Sequence, residues 1–289
     1  GYGLAENGID RTQSLQVRAR HTVMACGGIN GPGLLLRSDA PDPHQRIGKR
    51  TFLHPVPATL GDFPERIDGY YGAPQSVYSD HFQWRDGVTG PVGFKLEVPP
   101  MHPGFVASIG MLHGQAHSDQ MNRLPHLNMM IALLRDGFVE ASQGGEVFLR
   151  DDGIPGIRYE INEYLREGIV RAWKTMTEIQ FAAGAQSVRP VHSMSRYTTS
   201  LGAALQQIDE LDMDINKMRV GSAHVMGGCG MGEDPRSSVV DSMGKFHHLD
   251  GLHIMDGSTF PTSIGANPQL SIYGMVAKQA TALAQQLQG

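Results

Sequence analysis

The spacing of apolar and polar residues predicts both strands and helices along this chain. Residues 14–26 first alternate and then become continuously apolar, which is the pattern of a strand entering a buried parallel sheet. The glycine-rich turn GGINGPG follows, and LLLRS begins a helix. Doubly wound sheets use this order of strand, glycine turn and helix to bring backbone N–H groups to a ligand. A tight connection without any ligand has the same pattern.

The middle of the chain predicts an antiparallel sheet covered by helices. Residues 56–140 contain the extended apolar runs VPATLGDF, GPVGFKLEV, FVASIGML and LNMMIALLRD, separated by turn residues. Residues 144–159 predict a hairpin that turns at Asp151-Asp152-Gly153. Residues 162–183 predict an amphipathic helix that ends at Gly184. Its apolar face consists of Leu165, Ile169, Trp173, Met176 and Ile179.

The C-terminal third predicts a crossover and a final helix. Residues 196–219 are polar and predict a crossover back to the first domain. Asn267-Pro268 begins the last helix, because asparagine is a favoured N-cap and proline suits the first helical position. Capping alone could therefore explain Asn267. The buried face of this helix is predicted to contain Tyr273, Val276, Ala280, Leu283 and Leu287.

Composition excludes several classes of function. The 289 residues carry a net charge of −5 and no basic block, which argues against a nucleic-acid partner. No apolar run approaches the roughly 20 residues that a transmembrane helix needs. Cys26 and Cys229 supply no disulfide framework. His247, His248 and His253 lack a carboxylate or cysteine at ligand spacing, so we predict no metal site.

His224 and Asn267 are the candidates for catalysis. Oxidising an alcohol requires a cofactor that accepts hydride and a base that titrates near neutrality, and histidine is such a base. A second polar group should hold the substrate oxygen as charge develops on it. His224 opens a glycine-rich loop, and Asn267 opens the last helix. A single histidine among 13 is more often a surface or core residue, so the two positions alone would not establish this role.

The segments HVMGGCGMG, SSVVD, LHIMDGSTFPTS and ANPQLSIYG resemble the C-terminal signature of the glucose–methanol–choline (GMC) family of FAD-dependent oxidoreductases. The resemblance implies that His224 is the catalytic base and that Asn267 is its partner. Two residues depart from the family pattern GTCRMG, because Gly228 replaces its threonine and Gly230 replaces its arginine. The missing arginine removes one loop-anchoring or substrate-side contact but leaves the base.

The resemblance also implies which residues lie beside FAD. The strand MAC, followed by GGINGPGLLLRS, is similar to the second signature of the family, and LHIMD-Gly-Ser is similar to its strand ending beside the flavin. The N-terminus of the last helix would favour the negative charge of a reduced flavin. The glycines of the loop after His224 would let the backbone pass close to a planar ring. The predicted cofactor-binding residues are Ala25, Gly27, Gly28, Asp256, Gly257, Asn267, Pro268 and Gln269.

A finer resemblance points to the substrate. GKRTFLHPVPATLGDFPE, IALLRD and GIRYEINEYLREGIVRAW look like the long-chain alcohol oxidase branch of the family, which implies an apolar primary alcohol. Sugar, choline and sterol substrates remain alternatives, because the family changes its substrate by changing this domain. His54 resembles a His-Pro pair found at the domain junction in some members, and we predict a structural role for it.

The predicted fold class is α/β with α+β. It comprises part of a doubly wound FAD-binding domain, formed by residues 1–55 and 216–289, and a substrate domain at 56–215 with an antiparallel sheet covered by helices. The family's N-terminal βαβ unit with GxGxxG is missing, so we expect roughly 200 further residues upstream or a partner that supplies that half. A truncated chain without activity is the alternative.

The remaining partners are less defined by the sequence. The resemblance implies an alcohol substrate and an electron acceptor, which could be oxygen, a quinone or a cytochrome. A cytoplasmic location or a peripheral one at a membrane fits the sequence, and the N-terminal part that would decide between them is absent.

Overall fold

The computed structural model describes residues 2–73 and 75–288. Its strands are β1 Tyr2–Leu4, β2 Arg11–Ser14, β3 Thr22–Met24, β4 Lys49–Phe52, β5 Ala58–Asp62, β6 Tyr78–Ser79, β7 Phe94–Glu97, β8 Leu127–Leu134, β9 Gly145–Leu149, β10 Pro155–Arg158, β11 Ser187–Pro190, β12 Met226–Gly227 and β13 Leu252–Ile254. Its α-helices are α1 Gly27–Arg37, α2 Pro103–Ile109, α3 Gly114–Asn122, α4 Glu163–Ala182, α5 Leu201–Glu210 and α6 Gln269–Gln288. Short 3-10 helices span Leu124–His126 and Gly257–Thr259.

A five-stranded antiparallel sheet with the order β11-β5-β8-β7-β6 lies within residues 56–215, the range predicted as the substrate domain. Its central strand β8, LNMMIALL, is almost continuously apolar because α4 covers one face and a second apolar cluster, which includes Val106 of α2, covers the other. Trp173 of α4 is fully buried, and its indole N–H donates to the carbonyl of Ala58 at 3.0 Å. The predicted antiparallel sheet with its covering helix is confirmed.

Local signals located the hairpin and the long helix correctly. β9 and β10 pair with Pro155 opposite Leu149, and Gly153 takes the left-handed conformation in the turn at φ +75°. α4 begins after the N-cap Asn162, whose side chain accepts from the N–H of Leu165 at 3.2 Å. The hairpin continues into a sheet of order β10-β9-β4-β12, which draws strands from both predicted domain ranges.

The doubly wound part is represented by β3, α1 and β13. β3 and β13 pair in parallel, with Ile254 opposite Met24, and α1 follows β3 directly. The predicted strand over 14–26 is realised only in its last residues, and α1 begins at Gly27, earlier than the predicted start in LLLRS. Val17 is 89 % exposed and lies in the irregular segment that precedes β3.

One predicted extended segment was wrong, and one helix was not predicted. The first five residues of FVASIGML lie in α2, which begins at Pro103, where proline suits the first helical turn. The polar crossover 196–219 contains α5, where the Ser200 side chain caps the N–H of Ala203 at 3.3 Å. α5 packs on α4 and buries Ile208 in the same core. Tertiary packing therefore stabilises a helix whose apolar positions are too few to stand out in the sequence.

The predicted buried face of α6 was largely wrong. Leu283 is buried, but Tyr273 and Leu287 are 59 % and 46 % exposed, and Ala280 is exposed. The helix contacts the described part of the molecule through a narrow stripe. Gln279 belongs to that stripe and donates to the carbonyl of Ser242 at 3.3 Å.

Candidate active site

Backbone pairing places His224 opposite a second histidine, His54. β12 pairs with β4 through Met226 and Phe52, and a backbone bridge joins Val56 to Gly221 on the other side. The two segments therefore run antiparallel past each other. The Nδ1 atoms of His54 and His224 lie 3.0 Å apart, which is hydrogen-bond distance.

The buried carboxylate of Asp136 anchors His54. Asp136 Oδ2 accepts from the backbone N–H groups of Leu53 at 3.2 Å and His54 at 3.3 Å, and from the hydroxyl of Tyr159 at 2.6 Å. His54 has a φ of +52°, which is uncommon for a residue other than glycine. The three donors to one carboxylate hold this conformation, so His54 presents a fixed Nδ1 to His224.

Burial keeps both histidines neutral. Burial, together with the nearby His224 and Lys95, lowers the pKa of His54 to about 3. Burial also lowers the pKa of His224, and of the two nearby charges Glu97 raises that pKa while Lys95 lowers it. Burial raises the pKa of Asp136, against the hydrogen bonds that lower it. Near pH 7 His224 is therefore in the form that can accept a proton.

The shared hydrogen bond leaves one tautomer suited to base chemistry. A neutral imidazole has one donor and one acceptor nitrogen, so one Nδ1 of the pair donates and the other accepts. If Nδ1 of His224 donates to His54, the Nε2 of His224 is a free acceptor. No described hydrogen bond uses that Nε2. His54 then carries its proton on Nε2, which is buried without a partner among the described residues.

Asn267 is hydrogen-bonded through its side chain to the substrate-side sheet. Its Oδ1 accepts from the Nζ of Lys95 on β7 at 2.6 Å. Lys95 also pairs with Glu97 at 3.0 Å, and the side chains of Lys95 and Glu97 are only 14 % and 4 % exposed. Sequence reasoning missed both charged residues. Their signal was the alternation FKLE, with two charges at i and i+2 inside a strand whose other residues are buried.

An apolar cavity of about 370 Å³ opens in front of His224. Glu97, Arg219 and the base itself are polar side chains on its wall. The apolar part of the wall consists of Val56, Ala58, Pro99, Phe105, Ile109, Met129, Ile131, Leu133, Val191 and Ala223. A larger open cleft of about 880 Å³ runs past Lys49 and Glu146. It contains none of the predicted site residues, so the smaller cavity is the candidate substrate site.

The predicted flavin-side residues meet behind His224. Asp256 Oδ2 accepts from the N–H of Gly27 at 2.8 Å, and its Oδ1 accepts from the N–H of Ser258 at 2.8 Å. A Cβ on Gly28 would lie 2.9 Å from the side chain of Val225, the residue after the base. A Cβ on Gly257 would lie 3.0 Å from Ile272 of α6. These glycines are required for packing between elements.

The other predicted flavin-side positions are more open. Ala25 and Gln269 are exposed, and Pro268 is buried and accepts from the N–H of Ile272 at 2.8 Å. Neither α1 nor α6 has an acidic residue within its own first turn, although Asp256 already accepts from the first N–H of α1, that of Gly27. The next N–H groups at these two helix starts are the kind of donors that bind an anionic ring edge or phosphate, so the helix starts fit a flavin.

The loop glycines after His224 pack against the protein's own backbone. Gly227 and Gly228 have φ of +79° and +91°. A Cβ on Gly227 would collide with the carbonyl of Arg50, and one on Gly228 would lie 2.7 Å from Pro32 of α1. Packing within the protein therefore explains these two glycines, and the expected close approach of the loop to a planar ring stays a prediction.

Residues 2–73 and 75–288 hold no group of three or more His, Cys, Asp or Glu side chains arranged to bind a metal ion. No helix in these ranges has the length and apolar character to cross a bilayer.

Comparison with known proteins identifies the family. The model of the GMC oxidoreductase C-terminal domain matches residues 136–276, and that of the N-terminal domain matches residues 2–56. The chain is 27% identical to the long-chain-alcohol oxidase FAO4A of Arabidopsis thaliana. The match extends over 89% of this chain and 36% of that protein. It is also 27% identical to the 6'''-hydroxyparomomycin C oxidase of Streptomyces lividus over 95% of its length, covering 46% of that enzyme.

Solved structures show the same fold. Pyridoxine 4-oxidase from Mesorbium loti superposes with a TM-score of 0.63 at 16% identity, over 92% of this chain and 51% of that one. A formate oxidase of Aspergillus oryzae, studied for modification of its FAD, superposes with a TM-score of 0.65 at 14% identity, over 92% of this chain and 54% of that one. The chain therefore spans about a third to a half of the length of the relatives it matches. It belongs to the GMC oxidoreductase family, whose cofactor is FAD.

Proposed function

We propose that this chain carries the substrate side and the proton-transfer residues of an FAD-dependent enzyme that oxidises an alcohol to an aldehyde or ketone. The observation that carries the proposal is the position of His224. It lies on the wall of an apolar cavity, its Nδ1 is engaged by His54, and none of the described residues forms a hydrogen bond with its Nε2. FAD, when bound, supplies the hydride acceptor that no side chain can provide.

His224 acts as the base in this proposal. Its Nε2 accepts the hydroxyl proton of the substrate, and the resulting imidazolium donates through Nδ1 to the Nδ1 of His54. The carboxylate of Glu97 favours the charged imidazolium, since it is the neighbour that raises the pKa of His224. Because His54 resists protonation, it stays an acceptor throughout. A base held in one tautomer is a general feature of efficient proton transfer.

Asn267 holds the substrate oxygen. Its Oδ1 is occupied by Lys95, so its Nδ2 amide hydrogens are the donors left for a ligand. A donor aimed at the oxygen stabilises the negative charge that develops there as the proton leaves. The first N–H groups of α1 and α6, with Gly27, Gly28, Gly257, Pro268 and Gln269 around them, would lie along the flavin.

The substrate is an apolar, long-chain primary alcohol. Ten apolar side chains line the cavity, and the chain is similar to long-chain-alcohol oxidases over most of its length. A polar alcohol of the sugar class is the second candidate. Glu97 Oε2 is buried on the cavity wall without a partner among the described residues and could accept from a second hydroxyl. The similarity to an oxidase named for 6'''-hydroxyparomomycin C favours the same alternative.

The architecture of the complete enzyme follows the family. Residues 1–55 and 216–289 form the flavin side, residues 56–215 form the substrate side, and the remainder of the FAD-binding fold is supplied in cis or in trans. Oxygen, a quinone or a cytochrome reoxidises the flavin, in a cytoplasmic protein or one peripheral to a membrane. A chain that folds without being active is the competing possibility.

Single-turnover reduction of the flavin tests this proposal. In the complete FAD-loaded protein, His224→Ala should slow reduction by a long-chain alcohol by roughly two to four powers of ten, the usual contribution of a general base. Flavin content should stay unchanged. His113→Ala, at an exposed histidine outside the cavity, is the matched control and should behave as wild type. A normal reduction rate in His224→Ala would exclude His224 as the base.

A further inference from the structure

We propose that Lys95, held by Glu97, is a positioning residue that fixes the orientation of the Asn267 side-chain amide. The proposal rests on the function assigned above to Asn267. It concerns a charged pair on β7 that sequence motifs did not single out, and it explains how a side chain at the start of α6 is aimed from the opposite sheet.

The chemistry of the contact fixes the amide. An ammonium group has three donors and no acceptor, whereas a carboxamide has an oxygen that accepts and a nitrogen that donates. Lys95 Nζ lies 2.6 Å from Asn267 Oδ1. The flipped amide would bring two donors together and lose a charge-assisted hydrogen bond. Lys95 therefore turns Oδ1 toward β7 and leaves Nδ2 pointing away from it.

Lys95 is itself held from several sides. Its ammonium lies 3.0 Å from Glu97 Oε1 and 4.2 Å from the centre of the Tyr78 ring. In the sheet, Lys95 lies opposite Leu133 and Glu97 lies opposite Ile131 of β8, so both charges project from the same face of a paired strand. A long flexible side chain is thus confined by an ion pair, an aromatic ring and a strand register.

The ion pair also belongs to the electrostatic surroundings of the base. The titratable and charged groups around His224 are His54 on the adjoining segment, Lys95 and Glu97 on β7, and Arg219 on the cavity wall. Asp136 lies beneath His54. Neutralising Lys95 removes a positive charge and leaves Glu97 unpaired. Both changes favour the imidazolium form of His224. The apparent pKa in the pH dependence of the flavin-reduction rate should therefore be higher in such a variant.

The test uses the complete FAD-loaded protein and compares Lys95→Met with Lys95→Arg. Lys174→Met is the control, because Lys174 forms an ion pair with Asp209 on the surface away from the cavity. Lys95→Met should slow flavin reduction by roughly tenfold to a hundredfold, the range expected for a misplaced donor. The apparent pKa of its rate profile should rise. Lys95→Arg, which keeps the charge and the donors, should restore most of the rate, and Lys174→Met should show neither effect.

The NMR signal of the Asn267 side-chain amide reports on its surroundings without any measurement of turnover. In ¹H–¹⁵N spectra, the Asn267 side-chain NH₂ signal is assigned by its loss in Asn267→Asp. This signal should shift or broaden in Lys95→Met and stay in place in Lys174→Met. If Lys95→Met folds poorly, the double variant Lys95→Met/Glu97→Gln removes both buried charges and should show the same change in the amide signal.

A double-mutant cycle with Asn267→Ala separates positioning from other roles. If Lys95 acts through Asn267, adding Lys95→Met to Asn267→Ala should cost little further rate. Full additivity, or an unmoved amide signal together with an unmoved pH profile, would overturn the proposal. His224→Ala is run beside these variants. A normal rate there rejects the proposed function, whereas an inactive His224→Ala with a normal Lys95→Met rejects only the role of Lys95.

Discussion

At the residue scale, neighbouring side chains each occupy one polar atom of His224 and of Asn267. Asp136 holds the backbone of His54, and His54 occupies one nitrogen of His224. Lys95 occupies the oxygen of Asn267. Among the described residues no hydrogen bond uses Nε2 of His224 or Nδ2 of Asn267, and the proposed function assigns them the acceptor and the donor that removal of a hydroxyl proton needs.

Replacing Asn267 with aspartate separates its two possible roles. Asn267→Asp keeps an oxygen for Lys95 and a side chain able to cap a helix, but it removes the Nδ2 donor. We expect flavin reduction to slow by roughly two to three powers of ten, with Tm nearly unchanged. Asn122→Asp, at an exposed position ending α3, serves as the control. Unchanged rates in both variants would leave Asn267 without a role in catalysis.

At the element scale, elements that depend on neighbouring residues were predicted from the sequence, whereas contacts between distant segments were not. The hairpin turn at Gly153 and the N-cap Asn162 are encoded within a few residues. α5 was missed because its helical state depends on packing against α4. His54 was assigned a structural role because its contact with His224 depends on the register of β4 with β12. No local pattern encodes a pairing between segments so distant in sequence.

The contact between α4 and the five-stranded sheet gives a stability prediction. Trp173 is fully buried, and its N–H donates to the carbonyl of Ala58, on the strand that also lines the cavity. Trp173→Ala should lower the free energy of unfolding by about 3–5 kcal/mol. Lys174→Ala, at the adjacent and partly exposed position, should cost much less. The measurement is denaturant unfolding at pH 7, and equal losses in the two variants would contradict the assigned packing.

At the scale of the whole molecule, one sheet joins the two predicted domain ranges. β10 pairs with β9, β9 pairs with β4, and β4 pairs with β12, which follows His224. Backbone hydrogen bonds therefore connect the two ranges across the candidate site, and the domain boundaries themselves stay a prediction. Apolar periodicity could not show that one side of α6 is exposed or that residues 15–21 lie outside any strand.

Buried neutral histidines also make the stability of the whole molecule depend on pH. Burial lowers the folded-state pKa of His54 to about 3, and it lowers those of His192 and His253 as well. Between the folded and unfolded values the unfolded chain binds more protons, so stability is complete above about pH 6.5 and falls as the pH decreases. Asp136 has a raised pKa, so in the pH range where its carboxyl titrates the folded protein binds more protons, and a lower pH stabilises it there.

His54→Asn should therefore weaken the pH dependence of stability. Asparagine tolerates positive φ, and its oxygen can accept from His224, but it does not titrate. Between pH 6.5 and 5, His54 contributes at most about 1.4 kcal/mol per pH unit to the slope of the unfolding free energy. The variant should lose up to that amount, as measured by urea unfolding at several pH values. His113→Asn, at an exposed histidine, should keep the wild-type slope. Parallel slopes for wild type and His54→Asn would mean that His54 is protonated in the folded protein, and its role as a constant acceptor for His224 would fail with it.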